Sequence, residues 1–174
     1  APHNPDPSLS MAGVIDSGVQ IEHPQIGDIV GPTRDFTGEG FFDHSGHGTT
    51  VVLIFMRNSS GSAAQLKQLD ESLPGPDDRR ARIAVAKVVG RQPAEPQVIA
   101  DRIAAAVDWM GTLNVVVVNI SMALSAGSAN FDALCAAIER QSKILFVVAA
   151  GNLGPDATVF PASCPVPNVM VVGA

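Results

Sequence analysis

Two segments of this chain are apolar at consecutive positions rather than at alternate ones. They are V-V-V-V (Val115–Val118) and I-L-F-V-V-A-A-G (Ile144–Gly151). A strand with one face in water alternates apolar and polar residues, whereas a strand in a parallel sheet is covered by helices on both faces and is apolar throughout. These segments therefore predict buried parallel strands. They favour an α/β fold, a doubly wound and mostly parallel sheet flanked by helices.

The rest of the chain supplies strands and helices in the alternating order that such a fold requires. One segment has apolar residues at helical spacing, namely Ile99, Ile103, Ala106, Val107 and Met110. A later helix has Ser128 or Asn130 available as its N-cap. The predicted strands are Met11–Asp16, Arg82–Val88, Asn114–Ile120, Ile144–Ala149 and Val169–Gly173, and the predicted helices are His47–Met56, Val98–Met110 and Asn130–Ser142.

The domain organisation follows from length and local composition. A chain of 174 residues fits one domain, with residues 1–10 as an extended N-terminal arm and residues 11–174 as the folded region. The segment at about 57–80 is rich in Ser, Gly, Pro and charge, which predicts a surface insertion. No helix follows Val169–Gly173 to cover it, so we expect an exposed apolar edge that self-associates or packs against a further segment.

Composition excludes several classes of partner. The net charge of −6 argues against a phosphate-binding surface, so no nucleic acid is expected. The apolar runs are too short to span a membrane.

The two cysteines are too few to form a zinc ribbon or a disulfide framework. Cys135 is predicted to be a small core residue within a helix, and Cys164 lies in a Pro-rich turn.

Three polar residues follow apolar strands or begin a helix. Asp16 ends G-V-I-D, His47 begins a helix in D-H-S-G-H-G-T-T, and Asn152 follows F-V-V-A-A-G. Functional groups of doubly wound sheets lie at the carboxyl ends of strands. An aspartate can orient a histidine as general base, and an asparagine amide can donate to an oxyanion. Taken singly, each residue is as well explained by a turn or a cap.

Together and in this order, these segments resemble the subtilisin-like serine proteases. V-I-D-S-G-V resembles the family's Asp block, G-H-G-T its His block and A-A-G-N its oxyanion block, while A-V-A-K-V, V-N-I-S-M, F-P-A and V-V-G-A resemble intervening core segments. The resemblance implies a serine endopeptidase with Asp16 and His47 in the triad and Asn152 in the oxyanion hole. It implies peptide or protein substrates and, as a family tendency, secretion.

The family's nucleophile block, G-T-S-x-A, is not present in the 174 residues. The resemblance therefore implies an N-terminal portion of the peptidase domain, incomplete at its C-terminus, with the serine on a missing C-terminal segment. We expect the chain alone to be inactive. The alternative is a non-catalytic peptide-binding module, or pseudoprotease, with the same fold.

Ser121 lies in V-N-I-S-M-A, whose S-M-A looks like the core of a nucleophile motif. It precedes Asn152, however, whereas the family's nucleophile follows the oxyanion residue. The resemblance instead implies a strand edge that binds the substrate backbone. The substrate-binding residues are then expected to be Ser121, Met122, Ala123, Ala150 and Gly151. A purely structural strand end is the alternative for Ser121.

No metal or cofactor is expected. The family often has an acidic calcium ligand in H-P-D-L, but this chain has Gln25 at that position in H-P-Q-I. An amide replaces the carboxylate that calcium favours, so the calcium site is not carried over. His23 in the same segment is predicted to be structural. A metal site built from Asp43, His44 and His47 is a weaker alternative, because further ligands are not evident nearby.

Overall fold

The fold is an α/β layer, as the apolar runs predict. A computed structural model describes residues 11–27, 29–55, 83–125, 127, 129–154 and 156–173. The predicted arm at 1–10 and the predicted insertion at 57–80 lie outside these ranges. The strands are β1 (Met11–Asp16), β2 (Val30–Asp35), β3 (Ile83–Lys87), β4 (Val115–Ile120), β5 (Leu124–Ser125), β6 (Leu145–Ala149), β7 (Val159–Phe160) and β8 (Val169–Val172); the helices are α1 (residues 47–55), α2 (Pro96–Met110) and α3 (Asp132–Arg140).

Within the described residues, six strands form one sheet in the order β2-β3-β1-β4-β6-β8. Every neighbouring pair in it is parallel. All six residues of β1 are buried, because β1 is central and covered on both faces. The doubly wound, mostly parallel sheet predicted from the sequence is confirmed. The short strands β5 and β7 form a separate antiparallel pair.

The two faces of the sheet have separate cores. One core joins Ile15, Phe146 and Val148 to the buried sides of α2 and α3. The other joins Val14 and Val85 to helix α1 through Val52. Strands β1 and β3 are therefore covered on both faces, so their carboxyl ends have fixed positions.

Helix boundaries differ from the prediction for local reasons. Helix α2 begins at Pro96, two residues before the predicted start. Proline suits the first helical turn, because its fixed φ is helical and its missing N–H would have had no partner there. Helix α3 is shorter than predicted, and the Asn130 side chain accepts a hydrogen bond from the amide of Asp132 (2.7 Å).

Three strands and one covalent bond were not predicted. Strand β2 reads V-G-P-T-R-D, and its proline is tolerated because β3 is the single neighbour of β2 among the described strands. Cys135 lies in α3 and packs against the core, as predicted, and it is also bonded to Cys164, a pairing that the sequence analysis did not predict. The bond joins α3 to the segment that follows β7. None of the helices described here is long and apolar enough to cross a membrane.

Candidate active site

Asp16 and His47 meet at the carboxyl end of the central strand. Asp16 is the last residue of β1, and its side chain is only 2% exposed. Its Oδ1 lies 2.7 Å from His47 Nδ1 and accepts a hydrogen bond from the amide of Ser17, also at 2.7 Å. The two residues are 31 positions apart, and the sequence prediction that they could come together agrees with this geometry.

His47 presents its free ring edge to solvent. Its side chain is 56% exposed although Nδ1 faces buried Asp16. An aspartate at Nδ1 favours the tautomer that carries the proton there, which leaves Nε2 able to accept a proton. In this geometry a histidine is able to act as a general base with an aspartate that orients its ring.

A single buried carboxylate organises the turn that leads into His47. Asp43 is fully buried, and its Oδ1 accepts hydrogen bonds from Ser17 Oγ, Ser45 Oγ and the amides of Ser45 and Gly46, at 2.9–3.1 Å. Its Oδ2 accepts from the amide and hydroxyl of Thr49, at 2.9 and 2.7 Å. Thr49 lies in the first turn of α1, so Asp43 ties β1, the turn and the helix together.

Those hydrogen bonds also set the charge state of Asp43. Burial acts to raise the pKa of its carboxyl, but the bonds from Thr49, Ser17 and Ser45 outweigh burial and hold the pKa below the usual 3.8. Asp43 is therefore an anion held by protein donors.

The alternative of a metal site at Asp43, His44 and His47 is not favoured, since the His44 ring contacts Phe42 instead. The described residues contain no group of three or more His, Cys, Asp or Glu that could hold a metal ion.

Lys87 is a buried cation that the sequence analysis did not single out. It ends β3 in register with Asp16 and is 1% exposed. Its Nζ donates to the carbonyl of Phe42 (2.8 Å) and lies 3.8 Å from Glu39 Oε2. Lys87 therefore fixes the backbone beside Asp43. The available signal was a lysine inside the otherwise apolar strand A-V-A-K-V.

Gly48 allows helix α1 to approach β1. A Cβ at this position would collide with the carbonyl oxygen of Gly18 and lie 3.2 Å from the Cβ of Asp16. No left-handed backbone conformation is involved at Gly48, so only the close approach demands glycine. The second glycine of G-H-G-T is therefore required because a side chain would not fit at this position.

We expect Gly48→Ala to push α1 away from β1 and lengthen the contact between His47 and Asp16. In the intact protein, the kcat of a reaction that uses this pair should fall by about 10²-fold, because a displacement of about 1 Å in catalytic geometry costs roughly that much. Peptide hydrolysis and thermal unfolding would be measured together. Ile54→Ala, at an exposed position of the same helix, is the matched control; equal activity in both variants would contradict the prediction.

The predicted substrate-binding segments also lie at the carboxyl edge of the sheet. Ser121, Met122 and Ala123 follow β4, the neighbour of β1, and are half-buried. Ser121 Oγ accepts a hydrogen bond from Asn119 Nδ2 (2.7 Å). A Cβ at Gly151 would lie 3.1 Å from the Cβ of Ala123, so the segments after β4 and β6 touch.

Asn152 is farther from Asp16 and His47, the two residues that we call the dyad. It is exposed and follows β6, which is separated from β1 by β4. Two strand spacings separate the ends of β6 and β1 by about 10 Å, and Asn152 lies three residues beyond the end of β6. Ala150, two residues before Asn152, is fixed by the hydrogen bond from its amide to the carbonyl of Val172 (2.8 Å).

The His23 segment forms a turn at the surface. The amide of Gln25 donates to His23 Nδ1 (3.3 Å), and the amide of His23 donates to the carbonyl of Gln20 (3.1 Å). His23 thus has turn contacts that agree with its predicted structural role. The Gln25 side chain is exposed.

The subtilase family model matches residues 11–174. This chain belongs to the subtilase family. It is 28% identical over 198 residues to the subtilisin-like protease PopC of Myxococcus xanthus, covering 94% of this chain and 37% of that protein. It is 30% identical over 177 residues to the subtilase-type proteinase RRT12 of Saccharomyces cerevisiae, covering 94% and 31% respectively. This subtilase chain thus spans about a third of the length of these relatives.

Solved structures show the same fold. MycP1 from Mycobacterium smegmatis superposes with a TM-score of 0.60 at 23% identity, over 93% of this chain and 50% of that one. The S41 psychrophilic protease gives a TM-score of 0.58 at 26% identity, over 94% and 52%. The subtilase resemblance noted in the sequence is confirmed. Subtilases are serine proteases, that is, hydrolases that carry out proteolysis.

Proposed function

We propose that this chain supplies the general base, its orienting carboxylate and part of the substrate cleft of a subtilisin-like serine endopeptidase. The observation that carries the proposal is the 2.7 Å contact between Asp16 Oδ1 and His47 Nδ1, with Asp16 buried and the His47 ring exposed. A buried anion on one ring nitrogen and open space at the other are what proton transfer by histidine requires.

In the proposed reaction, a serine on a further segment of the protein attacks the peptide carbonyl. His47 Nε2 takes the serine proton and later gives it to the leaving amine. Asp16 keeps Nδ1 protonated and stabilises the imidazolium that forms. The Asn152 amide donates a hydrogen bond to the oxyanion. These steps use protein side chains only, in keeping with the expectation of no metal or cofactor.

An exposed apolar face on β8, three strands away from β1, supports the proposed position of that further segment. On the sheet face that α1 covers over β1 and β3, strand β8 exposes Met170 (52%) and Val172 (50%), which are in register with Val147 and Ala149 of β6. Parallel strands are normally buried on both faces. The curated relatives are about three times as long as the matched region. We propose that the missing C-terminal segment with the serine packs here.

The substrate cleft is proposed to lie between the segments after β4 and β6. Ser121, Met122 and Ala123 would pair with an extended peptide through backbone hydrogen bonds, as in strand addition. Ala150 and Gly151 would form the opposite wall. The close approach of Gly151 to Ala123 supports this arrangement, because it places the two segments side by side.

The decisive experiment is labelling with a fluorophosphonate, which reacts with activated serines. We expect the intact protein to hydrolyse an unfolded protein substrate and to be labelled once, at a serine outside these 174 residues. The 174-residue chain should neither hydrolyse nor be labelled. Stoichiometric labelling of Ser121 would overturn the assignment, and an intact protein that binds peptides without cleaving them would favour the non-catalytic binding module.

A further inference from the structure

The two segments of the proposed substrate cleft are both connected to the short strand β7. The segment Ser121–Ala123 continues directly into β5, and both residues of β5 pair with β7. In the other segment, a Cβ at Gly151 would lie 3.3 Å from Cγ2 of Val159 in β7, so Val159 packs against Gly151. Val159 is buried. A shift of β7 would therefore change the separation of the two segments.

The pairing of β7 with β5 is too short to hold β7 in place. The two strands pair over two residues each, and among the described strands they form a sheet of their own, apart from the six-stranded sheet. An isolated pair of strands is at best marginally stable in water. The position of β7 therefore depends on further contacts with the rest of the fold.

Helix α3 provides two such contacts, and one of them is covalent. Cys164, in the turn after β7, is bonded to Cys135 in α3. The amide of Cys164 donates to the carbonyl of Pro161 (3.0 Å), so the connection from β7 to the disulfide is tight. In addition, the Phe160 ring of β7 stacks on the ring of Phe131, just before α3, with centroids 4.3 Å apart.

Helix α3 is itself firmly attached to the body of the protein. Its buried residues Leu134, Ala137 and Ile138 belong to the same core as Phe146 of the central sheet. The disulfide therefore connects β7 to an element whose position is fixed by the core. Of the two contacts between α3 and β7, the disulfide is the one that a change of redox state removes.

We infer that the Cys135–Cys164 disulfide positions the substrate cleft through β7, so that the affinity for a peptide depends on the redox state of this bond. The inference rests on the proposed peptidase function. With the bond intact, the two segments are ordered before the peptide arrives. With the bond reduced, the peptide must order β7 as it binds, and that ordering lowers the affinity. Such a cleft binds peptides more tightly in an oxidising compartment than in a reducing one.

Reduction of the bond is a two-electron step that an added dithiol can supply. Cys135 is half-buried, whereas Cys164 is 6% exposed, so Cys135 Sγ is the more accessible sulfur. A thiolate of dithiothreitol attacks Cys135 Sγ, and Cys164 leaves as a thiolate. The second thiol of the reductant then displaces Cys135 from the mixed disulfide. The two cysteines gain two electrons and two protons, and the reductant leaves as a cyclic disulfide.

The test measures binding of a fluorescein-labelled unfolded protein, β-casein, to the His47→Ala variant of the intact protein, so that no turnover is needed. Fluorescence anisotropy would give the Kd before and after treatment with dithiothreitol. We expect the Kd to rise about tenfold on reduction, which is the cost of ordering one or two side chains on binding. Reoxidation should restore the original Kd.

Two variants separate positioning from stability. The double variant Cys135→Ala, Cys164→Ala should bind as weakly as the reduced protein and should not respond to dithiothreitol. Ile138→Val shortens a buried side chain of α3 and keeps the disulfide. It should lower the temperature of unfolding without changing the Kd. An equal loss of affinity in Ile138→Val would show that the bond acts through stability alone, and would overturn the inference.

Hydrolysis by the intact protein with His47 in place gives a second readout. Reduction should raise KM about tenfold. It should leave the pH dependence of kcat/KM unchanged, because β1 and α1 carry the dyad. Equal affinity in both redox states, binding in neither, or unfolding of the reduced protein at the assay temperature overturns the inference. A redox-dependent Kd in a protein that never cleaves the substrate would reject the proposed peptidase function and keep the role of the disulfide.

Discussion

In the intact protein, His47→Ala is expected to lower the kcat of the proposed peptide hydrolysis by about 10⁴-fold or more, which is the scale measured for triad residues of serine proteases, including subtilisin itself. The reason is that the variant loses the ring nitrogen that exchanges the proton, and no other group in the described site lies beside Asp16 to replace it. Peptide hydrolysis under substrate saturation measures the loss. Thermal unfolding should change little, because the His47 side chain is more than half exposed.

The matched control is His44→Ala, which removes an exposed histidine three residues away in the same turn. His44 contacts the Phe42 ring and makes no contact with Asp16 that the structure records. Its removal should change kcat by less than about twofold, as for ordinary surface substitutions. Asp16→Asn should resemble His47→Ala, since an amide at this position favours the wrong tautomer. Activity that survives in His47→Ala would reject the proposed triad.

The second large effect is expected at Asp43, where the result is a loss of stability. Asp43→Ala leaves the donors of Ser17, Ser45, Gly46 and Thr49 without their common acceptor in a buried place. The free energy of unfolding should fall by about 3–5 kcal/mol, the range for breaking a buried hydrogen-bond network. Chemical denaturation measures it. Asp43→Asn should cost less, because one amide oxygen still accepts.

Activity should fall along with stability in Asp43→Ala, because the same bonds fix the start of α1 and therefore His47. Asp156→Asn, an exposed carboxylate after β6, is the control for a lost charge. An Asp43→Ala protein that is as stable and as active as this control would show that the turn is held by its other contacts, such as Lys87 with Phe42.

The free energy of unfolding should also depend on pH through the carboxyl group of Asp43. Its folded-state pKa lies below the unfolded value near 3.8, so the folded state binds the proton less readily. The stabilisation is therefore complete above about pH 4 and is lost as the pH falls through the lower, folded value. Asp35 has the same direction: burial acts to raise its pKa, but hydrogen bonds from Thr37 and Gly40 and the charge of Lys87 outweigh burial. Denaturation at a series of acidic pH values should show a shallower decline in Asp43→Asn than in the unmodified chain.

The sequence determined the fold class and the order of the main strands. Apolar runs such as Val115–Val118 report local burial on two faces, and that information is contained in neighbouring residues. The segments around Asp16 and His47 could be assigned because their residue types resemble a family in a fixed order. Strand β2 could not be predicted in this way, since its Gly-Pro pair resembles a turn until a partner strand is known.

The tertiary structure alone decided what surrounds the dyad. Asp43 accepts from Ser17, 26 residues away, and Lys87 reaches Phe42, 45 residues away. Local sequence does not reveal such contacts, because an aspartate in an exposed turn and an aspartate that accepts several buried hydrogen bonds have similar sequence neighbours. The pairing of Cys135 with Cys164 could not be predicted for the same reason. Burial on a strand is a property of short segments, whereas the partner of a buried charge is set by how distant segments pack.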